Sequence, residues 1–398
     1  MHIRKLLGVG FIAFWFFLSA CATTRSVHHG SFSPQRMPGK ADSRQMANVR
    51  VALFQNVPRL RIGARGPVKI YDMSSRAVID EASLGEETQF TVHAQQFVIN
   101  GRTLLAQKIR LVPNNNDDAL KVNGLRYRGQ LELTCVARGG ILAVNFVPVE
   151  DYLKGVVPNE VLYTWPVEAL KAQAVAARTF TLSRMGASSE HADYDVEAGT
   201  NSQVYRGLDS EREATNRAVE ASAHLVATYQ GRFISAFYHS NCGGHTADVR
   251  HVWGSDTPYL KGVVCGFCDD SPHAVWSLAL SRSELVSALA QRNIKTIQSL
   301  EMVGRLPDGR ALSLEIRHDG VNEVMKAAAF RMLVGPERLK STNFEISPST
   351  KNVVFKGRGW GHGVGLCQEG ACGLARAGYG FNEILQFYYP GSDIQVWE

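Results

Sequence analysis

Between residues 49 and 145 the apolar positions come in short runs cut by Gly, Pro and Asn: 49–54, 68–71, 97–99, 109–112, 131–133 and 141–144. Runs of this length bounded by turn formers predict strands. The pattern changes at Pro166. Residues 167–180 are helix formers throughout, with Pro166 and Glu168 at the start and Gly186 beyond the expected end, which predicts a helix. Alanines occupy most faces of that helix, so it should be buried. A second helix is expected over 211–224, then a hairpin of 225–229 and 232–237 turning at Gln230-Gly231. Residues 281–341 alternate helix and strand, and 353–356 reads as a strand entering a Gly-rich loop.

The pattern as a whole predicts an α+β fold, with a strand-rich core, a buried Ala-rich helix beside the active cleft, and a smaller inserted subdomain. The expected parts are strand-rich 49–145, a catalytic and metal-like part 146–275, an inserted α/β part 276–345, and a Gly-rich loop with terminal helices 346–398.

The amino terminus has its own grammar. His2, Arg4 and Lys5 precede an apolar run from residue 6 to 18, then Leu18-Ser19-Ala20-Cys21. Thirteen apolar residues are short of the roughly 20 a membrane-spanning helix needs, and the pattern predicts an export signal over 1–20. The tetrapeptide resembles the bacterial lipobox, which implies lipidation of Cys21 and a soluble body held at a membrane outside the cytoplasm. Residues 22–48, rich in polar residues and without apolar periodicity, are expected to be a mobile tether.

Composition adds exclusions. A 398-residue chain that is 45% hydrophobic and 20% charged is neither a disordered tail, a collagen nor a coiled coil. The net charge of +6 comes with no Lys/Arg block, so no nucleic-acid partner is expected, although an anionic polymer fits. Of seven cysteines, Cys21 accounts for the odd one.

Candidate chemistry centres on Glu160, in a turn before the Ala-rich helix among Val157, Val161, Leu162, Tyr163 and Trp165. Desolvation by such neighbours raises a carboxyl pKa and suits it to general-acid work; a helix-capping Glu is the plainer alternative. Lys171 and Arg178 interrupt the buried helix on one stripe. They must either pair with carboxylates, such as Glu168 or Glu150, or line a cleft that takes a polar, partly anionic ligand. His239-x-x-Cys242 and Cys265-x-x-Cys268 have the two-plus-two spacing of a structural zinc site. Disulfides are the alternative, since six cysteines remain after Cys21. The glycines of 357–370 match neither G-x-G-x-x-G nor G-x-x-x-x-G-K-[ST]. That excludes a nucleotide loop and leaves backbone approach to a ligand, with His362 and Gln368 as polar contacts. No organic cofactor is expected.

The run 150–160 (EDYLKGVVPNE), then Trp165-Pro166 and 168–179 (EALKAQAVAART), resembles the SpoIID/LytB family, the group of stage II sporulation protein D and amidase enhancers. Two further blocks agree in order: 239–246 (HSNCGGHT) and 357–371 (GRGWGHGVGLCQEGA). The resemblance implies a lytic transglycosylase acting on peptidoglycan glycan strands, denuded of stem peptides, with 1,6-anhydro-muramyl products. It implies Glu160 as the catalytic acid, Lys171 and Arg178 as substrate supports, and Glu150 as a further functional acid. Some members bind metal near the 239–246 block with a varying ligand set, so His245 is an alternative to His239. The LytB branch implies a second class of function: a noncatalytic, glycan-binding lipoprotein that stimulates a cell-wall amidase.

Overall fold

The computed structural model describes residues 35–36 and 48–398, apart from 86, 116, 137–138, 188–191, 349–351 and 398. The signal, Cys21 and most of the expected tether lie outside the described residues. Among those described, no helix is long and apolar enough to cross a membrane.

The architecture is α+β. A seven-stranded sheet runs in the order Val196–Glu197, Asn48–Val57, Gly140–Pro148, Gln130–Val136, Lys108–Pro113, Pro67–Asp72, Val78–Ser83. Neighbours are antiparallel except Val196–Glu197, which runs parallel to Asn48–Val57. A six-stranded sheet follows the order Leu125–Tyr127, Leu120–Val122, Arg59–Ala64, Thr88–His93, Gln96–Ile99, Arg102–Leu104. Alternation does the sorting. In Lys108–Pro113, Ile109 and Leu111 are buried while Lys108 and Arg110 on the other face are only half-buried. Val51, Leu60, Ile62, Phe90, Phe97, Ile109 and Leu111, drawn from both sheets, join one core.

That core continues into the helical half. Strand Gly140–Pro148 passes directly into α1 (Val149–Lys154), then α2 (Val157–Glu160), with Pro158 in its first turn. The Ala-rich helix α3 spans Val167–Ala187, with Ala172, Ala174, Ala176 and Ala177 fully buried. It runs through Gly186 rather than ending before it; one glycine near a helix end costs about 1 kcal/mol, which packing of the preceding turns outweighs. Small side chains let α4 (Glu213–Ala221) and strand Leu225–Tyr229 pack closely on α3. The expected second helix is shorter than its pattern at both ends. The hairpin turns where expected, but its second arm is only Arg232–Phe233 rather than 232–237: Thr228 faces Phe233, and Gln230 and Gly231 both take positive φ, 51° and 70°, as a tight two-residue turn requires. Gln35–Arg36, within the stretch expected to be a mobile tether, pairs with Arg232–Phe233 instead. That strand offers a free edge of N–H and C=O groups.

After α5 (Val249–Trp253) comes the insertion, which carries α6 (Arg282–Ala288) and α7 (Ala327–Val334). Its two three-stranded sheets enclose a separate core of Leu280, Leu285, Leu314, Ile316, Phe330, Phe344 and Phe355. Strand Asn352–Arg358 pairs with Val275–Ser281 along its whole length, so the insertion's sheet reaches up to the Gly-rich loop. The chain closes with α8 (Gln368–Arg376), α9 (Phe381–Tyr388) and a last strand, Asp393–Val396, on the free edge of Leu225–Tyr229.

Candidate functional site

Glu160 ends α2. The next residue, Val161, is extended at φ −136°, ψ 158°, and returns its N–H to the carbonyl of Val157. This abrupt stop leaves the Glu160 carboxyl on the wall of a cleft of about 800 Å³. One side of the cleft is 158–162 with Trp165; the other is the loop 266–273; α8 contributes Gln368, Glu369, Gly373 and Arg376. Glu160 Oε1 accepts a hydrogen bond of 2.7 Å from the Val204 backbone N–H. Burial pushes the Glu160 pKa up to about 7, and the Val204 N–H, Gln368 and Tyr238 only partly offset it. The ground behind the acid is polar and ordered: Tyr152 and Thr181 hydroxyls donate to Gln203 Oε1 at 3.0 and 2.8 Å.

Gln368 lines the same cleft as Glu160 and hydrogen-bonds to it. It is 5% exposed, opens α8, and its Nε2 lies 3.4 Å from Gln173 Oε1. Three other expected contacts lie elsewhere. Arg178 is fully buried, forks onto both Glu150 oxygens at 2.8 and 2.7 Å, and also donates to the carbonyls of Leu225 and Val219. Lys171 pairs with Glu168 at 2.8 Å and lies over the Phe381 ring. Glu150, Lys171 and Arg178 are therefore absent from the cleft wall. The physical reason is desolvation: a guanidinium in an apolar helix bundle must be neutralised where it sits.

His362 also turns away from the cleft. Its Nδ1 accepts the Val364 N–H at 3.0 Å and its ring packs against Trp253 and His239. The loop glycines serve packing rather than ligand approach. A Cβ at Gly361 would come within 2.7 Å of His239 Cβ, and one at Gly363 within 2.4 Å of the Arg310 guanidinium.

The metal-like cluster contains one unexpected member. Sulfurs of Cys242, Cys265, Cys268 and Cys367 lie within 4.8 Å of one another, all buried. The place assigned to His239 belongs to Cys367, because parallel pairing of Tyr238–His239 with Leu366–Cys367 brings that thiol to the knuckle. His239 Nδ1 donates to the Val364 carbonyl at 3.1 Å, and burial keeps its pKa well below the usual range. His245 Nδ1 donates to the Thr246 carbonyl, outside the cluster. The cysteines are free thiols, so none of the described ones is in a disulfide. The donor set suits a soft, tetrahedral ion: Zn–S bonds of about 2.3 Å put sulfurs about 3.8 Å apart. Backbone N–H groups of Cys242 and Gly370 donate to Cys367 Sγ at 3.2 and 3.3 Å, the kind of outer-shell donors that a metal-bound thiolate would accept.

Two features gave little sequence signal. Cys367 sat one residue from Gln368 but outside the two-plus-two spacing. Arg310, in the insertion, is 1% exposed; it donates to the Cys242 carbonyl at 2.8 Å and the His245 carbonyl at 2.9 Å, with Asp308 as counter-ion. The cluster and the cleft are continuous: Cys268 leads into the cleft loop, and Cys367 caps α8.

The stage II sporulation protein model (SpoIID) matches residues 137–229, and a domain model of unknown function matches 271–365. An uncharacterized protein of Brachyspira hyodysenteriae is 32% identical over 87% of this chain and 92% of its own. Stage II sporulation protein D of Bacillus subtilis is 28% identical, covering 63% of this chain and 76% of that protein. The chain belongs to the SpoIID/LytB family. An amidase enhancer of B. subtilis is 31% identical over 61% of this chain, which spans only 40% of the enhancer's length. The SpoIID match ends before the Cys cluster and the Gly-rich loop, and the second domain model covers the insertion with its flanks, from the end of the cleft loop through His362.

Proposed function

We propose that this chain is an exported lytic transglycosylase that cleaves peptidoglycan glycan strands, with Glu160 as the single acid and base. The observation that carries the reading is the Glu160 carboxyl on the cleft wall with its pKa at about 7, so that near neutral pH both the protonated acid and the carboxylate base are populated. In the first half of the reaction Glu160 gives its proton to the oxygen linking muramyl C1 to the next sugar, and that C1–O bond breaks. In the second half the carboxylate takes the proton of the muramyl 6-hydroxyl while O6 bonds to C1. The product is a 1,6-anhydro ring and no water is consumed. A hydrolase would need a second carboxylate to activate water or form a glycosyl intermediate.

Lipidation of Cys21 would hold the enzyme at a membrane of the cell envelope. Cys242, Cys265, Cys268 and Cys367 would hold a structural zinc ion, which would supply folding energy rather than chemistry. Incubating the protein with denuded strands and analysing the ends by mass spectrometry tests the proposal. Anhydro-muramyl ends that disappear in Glu160→Gln support it; equal release by that variant defeats it. The amidase-enhancer relative favours one other reading, noncatalytic stimulation of a cell-wall amidase. Absence of anhydro ends together with faster hydrolysis by an added amidase would establish that reading instead.

A further inference from the structure

Among the described residues, Arg376 is the single Lys or Arg lining the cleft. We infer that it reads the carboxylate of an acidic sugar in a bound strand. The inference rests on the proposed glycan reading and assigns the role that Lys171 and Arg178, consumed by Glu168 and Glu150, do not fill.

The placement follows from α8. Glu369, Gly373 and Arg376 are spaced i, i+4, i+7 and form one stripe, and all three line the cleft. Gly370, Ala371, Cys372 and Leu374 are the buried side of the helix. Arg376 is exposed, and it is the last residue of the helix, where a cation also suits the partial negative charge of the free carbonyls. Other acids of the cleft have claims on them or lie in the facing loop: Asp269 is paired with Arg358 at 2.7 Å, and Glu369 is half-buried beside Ser271 and His273. Glu369 and Arg376 influence each other electrostatically without forming a close ion pair, so the guanidinium keeps donors for a ligand.

Distance decides which carboxylate. Gln368, beside Glu160, and Arg376 are eight residues apart on α8, about 12 Å of helix rise. That is more than one pyranose ring. The backbone of Arg376 is therefore displaced along α8 from the end that carries Gln368, and a contact beyond the bond that breaks is the one that suits a cation, which next to that bond would oppose the positive charge developing at the anomeric carbon. Arg376 is placed for a muramyl unit further along the strand, whose lactyl carboxylate is free once the stem peptide has been removed. The recognised class is a polysaccharide carrying free carboxylates, and the residue is a specificity determinant rather than a catalytic one.

Binding measured in a Glu160→Gln background, where strands stay intact, tests this. Two probes are compared: denuded strands, and the same strands with lactyl carboxylates converted to neutral amides. Tighter binding of the carboxylate form by about fivefold at low salt is expected, in keeping with one exposed charge-assisted contact. Arg376→Ala should remove the preference and leave affinity for the amide form unchanged; Arg376→Lys should keep most of it, and Arg376→Glu should reverse it. An undiminished preference in Arg376→Ala, or an equal loss for both probes, overturns the inference while leaving the glycan reading intact. No binding of either probe by the parent overturns both.

Discussion

The Val204 backbone N–H holds Glu160 Oε1 at 2.7 Å, and burial still lifts the acid to about 7. One strong donor would ordinarily pull a carboxyl below its usual range. Here desolvation wins. Activity that depends on protonated Glu160 is therefore expected to fall as pH rises through about 7, measured as kcat/KM for anhydro-end release. A flat profile between pH 5 and 9 would remove Glu160 from the acid role.

The same shift has a consequence for stability. A carboxyl whose folded pKa, about 7, exceeds its ordinary value of 4.5 contributes stability below the unfolded value and loses it as pH rises toward the folded value. Glu160→Gln keeps an acceptor for Val204 and carries no titrating proton. Its denaturation midpoint should match wild type near pH 4.5 and exceed it above pH 7. The gap should grow by about 1.4 kcal/mol per pH unit across that window.

Arg178 and Glu150 form a bidentate pair with the guanidinium fully buried. Glu150→Gln strips the compensation from a buried charge and should cost about 3 kcal/mol in urea unfolding. Glycan affinity of the folded variant should be unchanged, because neither residue lines the cleft. Weaker glycan binding without loss of stability would return the pair to a substrate role.

For the four-thiol cluster, one zinc per chain is expected by metal analysis of protein purified without reducing agent. Cys367→Ser should lose the ion and lower the melting temperature by several degrees. His239→Ala should retain it, since the His239 ring is turned toward Val364. Retention by the first variant and loss by the second would restore the His-containing ligand set.

Arg310 ties the insertion to the knuckle. Arg310→Ala leaves the Cys242 and His245 carbonyls without their donors, at a cost of about 1–3 kcal/mol. Faster zinc release to a chelator is expected, followed with a colorimetric zinc indicator. Release at the wild-type rate would show that the clasp does not depend on the insertion.

Residues whose role follows from local pattern were legible in the chain itself. Alternating strands, the Ala-rich helix, the Gln230-Gly231 turn and the α+β class all arise from interactions within a few residues or from binary burial, and those signals sit in any short window. Glu160 was also visible, since its apolar neighbours are adjacent in sequence. Partner choice over long separations was not: Lys171 and Arg178 had two possible fates, and spacing cannot distinguish an ion pair from a cleft.

By itself, then, the sequence determined the elements, the family resemblance, and an acid set among apolar side chains. The tertiary structure decided who meets whom. Glu150 reaches Arg178 across 28 residues, Cys367 joins Cys242 across 125, and Arg310 arrives from a separately cored insertion. It also left Arg376 at the lip of the cleft while Arg178 was neutralised in the interior by Glu150 and Lys171 was paired with Glu168 away from the cleft. The physical reason is that burial makes charge and thiol chemistry depend on neighbours brought by the fold, and the cost of leaving a buried charge unpaired selects those neighbours.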